Sequence, residues 1–164
     1  MKQNRDAIVL KSLREIEQMR AAGRVVAATL DACERACQPG VTTRELDEIA
    51  YRTFTALGAT GLFFSYPDYE PGRGYPRHTC ISVNEEIVHG IPGDRIVRAG
   101  DVVSIDCGVR LNQWCGDSAR TILVDPVKPR VRRLVETTKR TLDEAIAAIR
   151  PGVRWSEIGR LMQD

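Results

Sequence analysis

The sequence predicts a mixed α+β domain made of two related halves, and three observations support this. Two capped amphipathic helices open the chain, short β-rich segments follow, and a helix–Pro-Gly–helix pattern from the first part returns near the end. With 164 residues, 43% of them hydrophobic and 28% charged, the chain has the size of one globular domain. We expect a single domain over 1–164, with a first half at about 11–126 and the start of a second at about 127–164.

The first two helices are marked by capping boxes, in which a Ser or Thr precedes a Glu by three residues. Ser12 with Glu15 predicts one start, Thr42 with Glu45 predicts the next, and Pro39-Gly40 separates the two helices. The apolar positions expected on their buried faces are Leu13, Ile16, Met19, Val26, Leu30, Cys33 and Cys37, then Leu46, Ile49, Ala50, Phe54 and Leu57.

The middle of the chain reads as a loop followed by strands. The Gly- and Pro-rich stretch 65–78 predicts an irregular surface loop. Short β-rich runs follow at 79–84, 86–89, 101–109 and 119–124. A third helix is expected over 131–149, with an apolar stripe of Leu134, Val135, Leu142, Ile146 and Ile149.

An internal repeat follows this third helix. The segments "CQPGVTTRELDEIA" (37–50) and "IRPGVRWSEIGRLM" (149–162) align without a gap and match Leu46 to Ile158. Such similarity indicates two related halves, although two ordinary helix–Pro-Gly–helix joints could also coincide. Because the sequence stops inside the second helix of the second copy, we expect a fragment or natural truncation without a second strand-rich half.

Charge and cysteine usage limit the classes of partner and compartment. A formal net charge of +2 does not indicate a nucleic-acid partner, and the basic run at 128–134 is typical of a solvated helix start. The sequence shows neither a long apolar span nor a signal peptide, so we expect no membrane association. Five cysteines without a disulfide spacing fit a reducing, cytoplasmic location.

The segment "SIDCGVRLNQWCGD" (104–117) places two aspartates within β-type sequence. If it forms an antiparallel hairpin turning at Leu111-Asn112, Asp106 and Asp117 face each other directly, with Cβ atoms about 5 Å apart. The repulsion can be resolved by protonation of one carboxylate, by solvent exposure of both, or by a bound cation. Strand alternation turns Cys107 to the opposite face, which disfavours a zinc–thiolate site.

The stretch 75–121, with "CISVNEEIVHGIP", "SIDCG" and "WCGDSART", resembles the methionine aminopeptidases of the bacterial type I form. Looser similarity extends over essentially the whole chain. The resemblance implies the α+β pita-bread fold, in which two pseudo-symmetric halves enclose a dinuclear metal site. Most of the second half would be missing from this chain.

The resemblance also implies roles for individual residues. Asp106 would bind one metal ion and Asp117 would bridge two divalent ions, with Co, Mn, Fe and Zn all acceptable to such ligands. One His and two Glu from the absent half would complete the site.

On the substrate side, His89 matches a catalytic histidine that contacts the substrate, and Tyr75 and Cys80 match the lining of the methionine side-chain pocket. His78 is expected to be a loop histidine. Gly72 stands where the family commonly has an aromatic residue, so the outer wall of the pocket departs from the pattern.

The implied activity is metal-dependent removal of the N-terminal methionine from nascent proteins and peptides. The ribosome is a candidate partner, and a monomer is the expected state of a full-length form. We expect the chain by itself to be incomplete and inactive. A non-catalytic peptide- or protein-binding half-domain is the alternative, and a proline-specific peptidase of the same fold is less favoured by "NEEIVHGIP".

Overall fold

A computed structural model describes residues 8–67 and 74–163, so the predicted departure at Gly72 lies outside the described residues. The chain forms two compact units, residues 1–124 and 125–164. Within the described ranges, no helix has the length and apolar character needed to cross a membrane.

The first unit begins with helices α1 (Leu13–Ala36) and α2 (Thr43–Ala56), and both predicted capping boxes are present. In each, the glutamate accepts a 2.7 Å hydrogen bond from the backbone N–H of the capping residue. The buried face of α1 includes Val26, Leu30 and Cys33, as predicted. The predicted burial is wrong at three earlier positions, where α1 extends beyond the core: Leu13, Ile16 and Met19 are 84%, 39% and 42% exposed.

A four-stranded antiparallel sheet packs against these helices. Its strands are β1 (Thr60–Gly61), β2 (Cys80–Val83), β3 (Val102–Leu111) and β4 (Trp114–Leu123). β4 pairs with β3 along its whole length, whereas β1 and β2 pair with opposite ends of β3. Every strand therefore depends on β3.

The predicted strand at 86–89 is absent, and this segment is irregular, with a turn at 84–85 before it and a bend at 88. The Glu86 carboxylate accepts a 2.7 Å hydrogen bond from the backbone N–H of Val83, which closes a tight turn directly after β2. His89 then takes a left-handed conformation with φ of 58°. Alternation of residue types over four positions did not reveal these side-chain-to-backbone bonds.

The two faces of β3 differ sharply. Val103, Ile105, Cys107 and Val109 are fully buried in the core formed with α1 and α2. A Cβ atom on Gly116 of β4 would lie 2.8 Å from the backbone carbonyl atoms of Ala22 in α1. The hairpin and α1 therefore approach each other at backbone distance.

The second unit contains α3 (Pro129–Ala148) and α4 (Trp155–Gln163), which confirms the predicted third helix. The expected buried stripe of α3 is wrong, because α4 has 9 residues and covers only part of the 20-residue α3. The stripe residues that stay more than half exposed are Leu134, Leu142, Ile146 and Ile149.

The two copies of the repeat share local structure. Gly40 and Gly152 both adopt left-handed φ angles, 102° and 89°, in the turn before a helix. The matched residues Leu46 and Ile158 are 0% and 3% exposed. This agreement favours a repeat over two coincidental joints.

We predict that Gly116→Ala destabilises the chain by about 1–3 kcal/mol, since its new methyl group would collide with the α1 backbone. Gly23→Ala is the matched control, because a Cβ atom there meets nothing within 4 Å, and added helix propensity should stabilise the chain by about 0.5–1 kcal/mol. Urea unfolding followed by circular dichroism measures both. Equal effects of the two substitutions would contradict this account of the α1–β4 contact.

Candidate metal and substrate site

The register of the β3–β4 hairpin determines where the two aspartates lie. A two-residue turn at Asn112-Gln113, with φ of 48° and 73°, connects Leu111 to its partner Trp114. Left-handed residues at both central positions suit the right-handed twist of a tight hairpin. The predicted turn at Leu111-Asn112 is therefore wrong by one residue.

The direct Asp106–Asp117 pair predicted from the sequence is consequently wrong. Asp106 lies opposite Ala119, and Asp117 lies opposite Gly108. The pairing has moved by two residues, and because side chains alternate with a period of two, both carboxylates remain on one face. They are diagonal neighbours, for which Cα atoms are typically about 7–8 Å apart.

Gly108 provides the space for the Asp117 carboxylate. A Cβ atom on Gly108 would lie 2.8 Å from Asp117 Oδ2 and 2.8 Å from the ring of Phe63. The carboxylate and the aromatic ring therefore meet above a position that has no side chain. Phe63 was not identified from the sequence, because it belongs to no periodic pattern or motif.

Asp106 interacts electrostatically with two of the other predicted groups, Asp117 and His89. Burial, and then the negative charge of Asp117, raise the pKa of Asp106, while His89 and the Cys107 backbone N–H act in the opposite direction. Asp117 itself is exposed, so water relieves part of the repulsion between the carboxylates. Of the three ways to relieve the repulsion between the carboxylates, solvent exposure therefore applies to Asp117 and not to the half-buried Asp106.

The carboxylate pair fits a divalent cation in charge and in ligand type, since hard cations prefer oxygen ligands. Two aspartates do not complete a metal site. Among residues 8–67 and 74–163, no group of three or more His, Cys, Asp or Glu side chains is placed to hold an ion. Further ligands are needed.

His89 is held in its left-handed conformation by the next residue. A Cβ atom on Gly90 would lie 2.3 Å from the carbonyl oxygen of Ile81, so only glycine fits against β2. The Ile81 N–H donates a 2.8 Å hydrogen bond to the Gly90 carbonyl. A non-glycine residue with positive φ costs about 1–3 kcal/mol, and this packing maintains it.

Tyr75 and Cys80 lie beside the aspartates and the His89 turn. The buried Tyr75 hydroxyl lies 3.1 Å from the carbonyl oxygens of both Thr79 and Gly90. Cys80 pairs with Asp106 across the β2–β3 ladder. Burial raises the pKa of the Cys80 thiol, and the charges of Asp106 and Asp117 act in the same direction. The predicted pocket residues and the predicted ligands are therefore neighbours.

His78 lies in a loop, as expected, and its ring is sandwiched between two aromatic rings. The ring centroid is 4.2 Å from that of Tyr51 and 5.1 Å from that of Phe64, and both pairs are stacked. Its backbone N–H donates a 3.0 Å hydrogen bond to the buried carboxylate of Asp47. Sequence reasoning missed Asp47, although a charged residue on the apolar stripe of α2 was a usable signal.

Two other features of the first unit involve none of the predicted ligand or pocket residues. Cys107 is fully buried on the opposite face from Asp106, as predicted, and burial raises its pKa to about 12. A cavity of about 380 Å³ is lined by Asn84, Asp94, Arg95, Ile96, Arg98 and Asp101, and none of these is a predicted site residue.

The sequence from 17 to 164 matches the family model of metallopeptidase family M24. The chain belongs to that family. It is 40% identical over 156 residues to methionine aminopeptidase 1 of Bacillus subtilis, a match that covers 95% of this chain and 60% of the relative. A methionine aminopeptidase of Borreliella burgdorferi is also 40% identical, over 94% of this chain and 59% of that protein. The chain thus spans about three fifths of the length of these relatives.

Solved structures agree with the fold. Methionine aminopeptidase from Rickettsia prowazekii superposes with a TM-score of 0.87 and 32% identity, covering 96% of this chain and 61% of that chain. Prolidase from Pyrococcus furiosus has a TM-score of 0.79 at 23% identity, covering 94% of this chain and 43% of that chain, and this likeness shows the fold alone. The chain therefore has the α+β pita-bread fold, and its neighbours continue beyond the part that it matches.

We predict that Asp106→Asn stabilises the metal-free chain at pH 7 by about 0.5–1 kcal/mol, because it removes a half-buried charge beside Asp117. A raised pKa means that folded Asp106 holds its proton to higher pH than the unfolded chain does. Its penalty is absent below the unfolded pKa, grows as pH rises through the folded pKa, and is complete above it.

Urea titrations at several pH values measure this difference. The exposed Asp94→Asn is the control, because its carboxylate pairs with Arg44 away from the site. This explanation is wrong if Asp106→Asn raises the free energy of unfolding as much at pH 3 as at pH 7. It is also wrong if Asp94→Asn gives the same pH-dependent increase.

Proposed function

We propose that this chain is part of a methionine aminopeptidase that removes the N-terminal methionine from nascent proteins and peptides by metal-dependent hydrolysis. The observation that carries the proposal is the placement of Asp106, Asp117 and Cys80 on one face of the sheet, next to β2, to which the His89–Gly90 segment is hydrogen-bonded. This arrangement combines two carboxylates that could bind a cation with a histidine and a buried cysteine. Membership of the M24 family and 40% identity to named methionine aminopeptidases support it.

The metals in this proposal are two divalent ions, with Co, Mn, Fe and Zn as candidates. Asp106 would bind one ion and Asp117 would bridge both. When bound, such ions lower the pKa of water and polarise a carbonyl group. Because the described residues contain no group of three or more side chains that could hold an ion, we propose that one His and two Glu from a further segment complete the site.

The chain's own residues would hold the substrate. His89 is exposed and precedes Gly90, which packs on β2, so its ring can form a hydrogen bond to the scissile amide and stabilise developing charge. Cys80 and Tyr75 would line the methionine side-chain pocket, since a thioether packs well against polarisable and aromatic groups. The Phe63 ring beside Asp117 adds apolar surface at the same place.

The proposal extends to partners and location. Nascent chains with an N-terminal methionine are the substrates, and the ribosome is a candidate docking partner. Five cysteines without a disulfide are consistent with a cytoplasmic location. The full-length form would act as a monomer, and neither nucleic acid nor a membrane is a proposed partner.

A non-catalytic half-domain that binds peptides or proteins is the second candidate. Two observations favour it. The described residues do not form a complete metal site, and the apolar stripe of α3 is exposed, as a surface that binds another molecule would be. A proline-specific peptidase has weaker support, since prolidases and similar structures match at 20–24% identity.

We predict that the purified 164-residue chain alone hydrolyses a Met-Ala-Ser peptide at a rate indistinguishable from buffer, even with added Co²⁺ or Mn²⁺. Two aspartates cannot position both metal ions and a general base. Chromatographic detection of free methionine makes the measurement. Rapid turnover by this chain alone would show that the site is already complete.

A chimera tests the activity itself. We predict that the chain, fused to the part of the Bacillus subtilis methionine aminopeptidase that it does not match, releases methionine in a metal-dependent way. Asp106→Asn, Asp117→Asn and His89→Ala should each reduce kcat/KM by at least about 100-fold, as expected for loss of metal ligation or transition-state stabilisation. Asp94→Asn is the control with unchanged kcat/KM.

The non-catalytic alternative gives a different result. In that case a folded chimera, verified by circular dichroism, would bind methionyl peptides without releasing methionine. Activity that survives both aspartate substitutions would also refute the proposed roles.

A further inference from the structure

We propose that Asp47 is a positioning residue that fixes the peptide-binding wall of the site through a buried hydrogen-bond relay. This inference rests on the proposed function and adds a residue that touches neither metal nor substrate. Asp47 lies in α2, on the core side of the sheet, and only 2% of its surface is exposed.

The first step of the relay is the capture of a loop by one carboxylate oxygen. Asp47 Oδ1 accepts hydrogen bonds from the His78 N–H at 3.0 Å, the Thr79 N–H at 2.8 Å and the Thr79 hydroxyl at 2.7 Å. Hydrogen bonds to a charged group each contribute about 1.5–3 kcal/mol, so three of them hold this backbone firmly.

The second step carries this constraint to the site. Thr79 immediately precedes Cys80, and its carbonyl lies 3.1 Å from the Tyr75 hydroxyl. The same hydroxyl lies 3.1 Å from the carbonyl of Gly90, the residue after His89. Gly90 is in turn bonded to Ile81 in β2. The relay therefore joins all three proposed substrate-binding residues to one carboxylate.

The burial of Asp47 has a cost that the chain could avoid with an apolar residue. Its neighbours on the buried face of α2 include Leu46 and Ala50, both 0% exposed. A buried carboxylate is retained at a net benefit only when its hydrogen bonds are satisfied. Here those bonds fix a loop that precedes the site, and a leucine at this position would leave three donors without an acceptor.

The stacked rings around His78 reinforce the same segment. Tyr51, one turn after Asp47 on α2, stacks on His78, so α2 holds the loop through a carboxylate and a ring together. Loss of the carboxylate should therefore loosen the segment 75–80 without unfolding α2.

Hydrogen exchange of the 164-residue chain, followed by NMR, tests the relay without requiring activity. The informative amides are those of Tyr75, Ile81 and Gly90, which make no bond to Asp47. In Asp47→Ala, their protection should fall by about tenfold or more, while the amides of β4 change less than about twofold. In Asp47→Asn, which keeps an acceptor oxygen, part of the protection should return.

Glu48→Gln is the matched control, because Glu48 is the next residue on α2 and forms an exposed ion pair with Arg52. This substitution should leave the hydrogen-exchange protection of all of these amides unchanged. Thr79→Val, which removes one donor and leaves the fold intact, should give an intermediate loss.

Three outcomes would overturn the relay. The first is unchanged protection of the three amides in Asp47→Ala. The second is a uniform loss of protection over the whole chain in Asp47→Asn. The third is a loss of protection in Glu48→Gln equal to that in Asp47→Ala. In the chimera described above, Asp47→Asn should raise KM for a methionyl peptide by about three- to tenfold with a smaller change in kcat. An inactive wild-type chimera would refute the proposed function and would leave the exchange result valid.

Discussion

The alternation of buried and open faces along the β3–β4 hairpin is the constraint on which the rest of the structure depends. Val103, Ile105 and Val109 are fully buried on one face, and each such side chain contributes about 1.5–3 kcal/mol. Repulsion between Asp106 and Asp117 at a diagonal spacing in water is on the order of 1 kcal/mol. The core therefore determines the register, and the carboxylates share the opposite face as a result.

Three structural devices bring the rest of the site to this face. Gly108 makes room for the Asp117 carboxylate, Gly90 lets the His89 turn pack on β2, and Asp47 holds the loop before Cys80. Each device acts through backbone geometry rather than through bulk hydrophobic contact. The first unit thus holds the two carboxylates and the proposed substrate-binding residues in one region.

Sequence patterns predicted those parts of the fold that depend on local chemistry. The capping boxes at Ser12 and Thr42 gave the helix starts, because the two hydrogen bonds of a capping box lie within four residues. The shared face of Asp106 and Asp117 was also predictable for any hairpin loop of even length, since side chains alternate with a period of two. Their direct pairing was not, because it depends on the turn conformation at Asn112-Gln113.

Features that depend on contacts between residues far apart along the chain could not be predicted from sequence patterns. The burial of the α3 stripe could not be judged from its periodicity, which shows that a face is apolar but not what covers it. Asp47 and Phe63 matter because they contact Thr79 and Gly108, which lie more than 30 positions away along the chain. The resemblance to family motifs proposes ligands and pocket residues, and it does not point to the residues that hold them in place.

The tight turn at Asn112-Gln113 has a consequence for the divergence of such sequences. Adding or deleting one residue within either strand would turn the side chains on one side of that position to the opposite face of the sheet, unless a β-bulge absorbed the change. Changes by two residues keep every side chain on its own side. Insertions and deletions tolerated within this ribbon should therefore come in even numbers, a signature that genome comparisons can count without any assay.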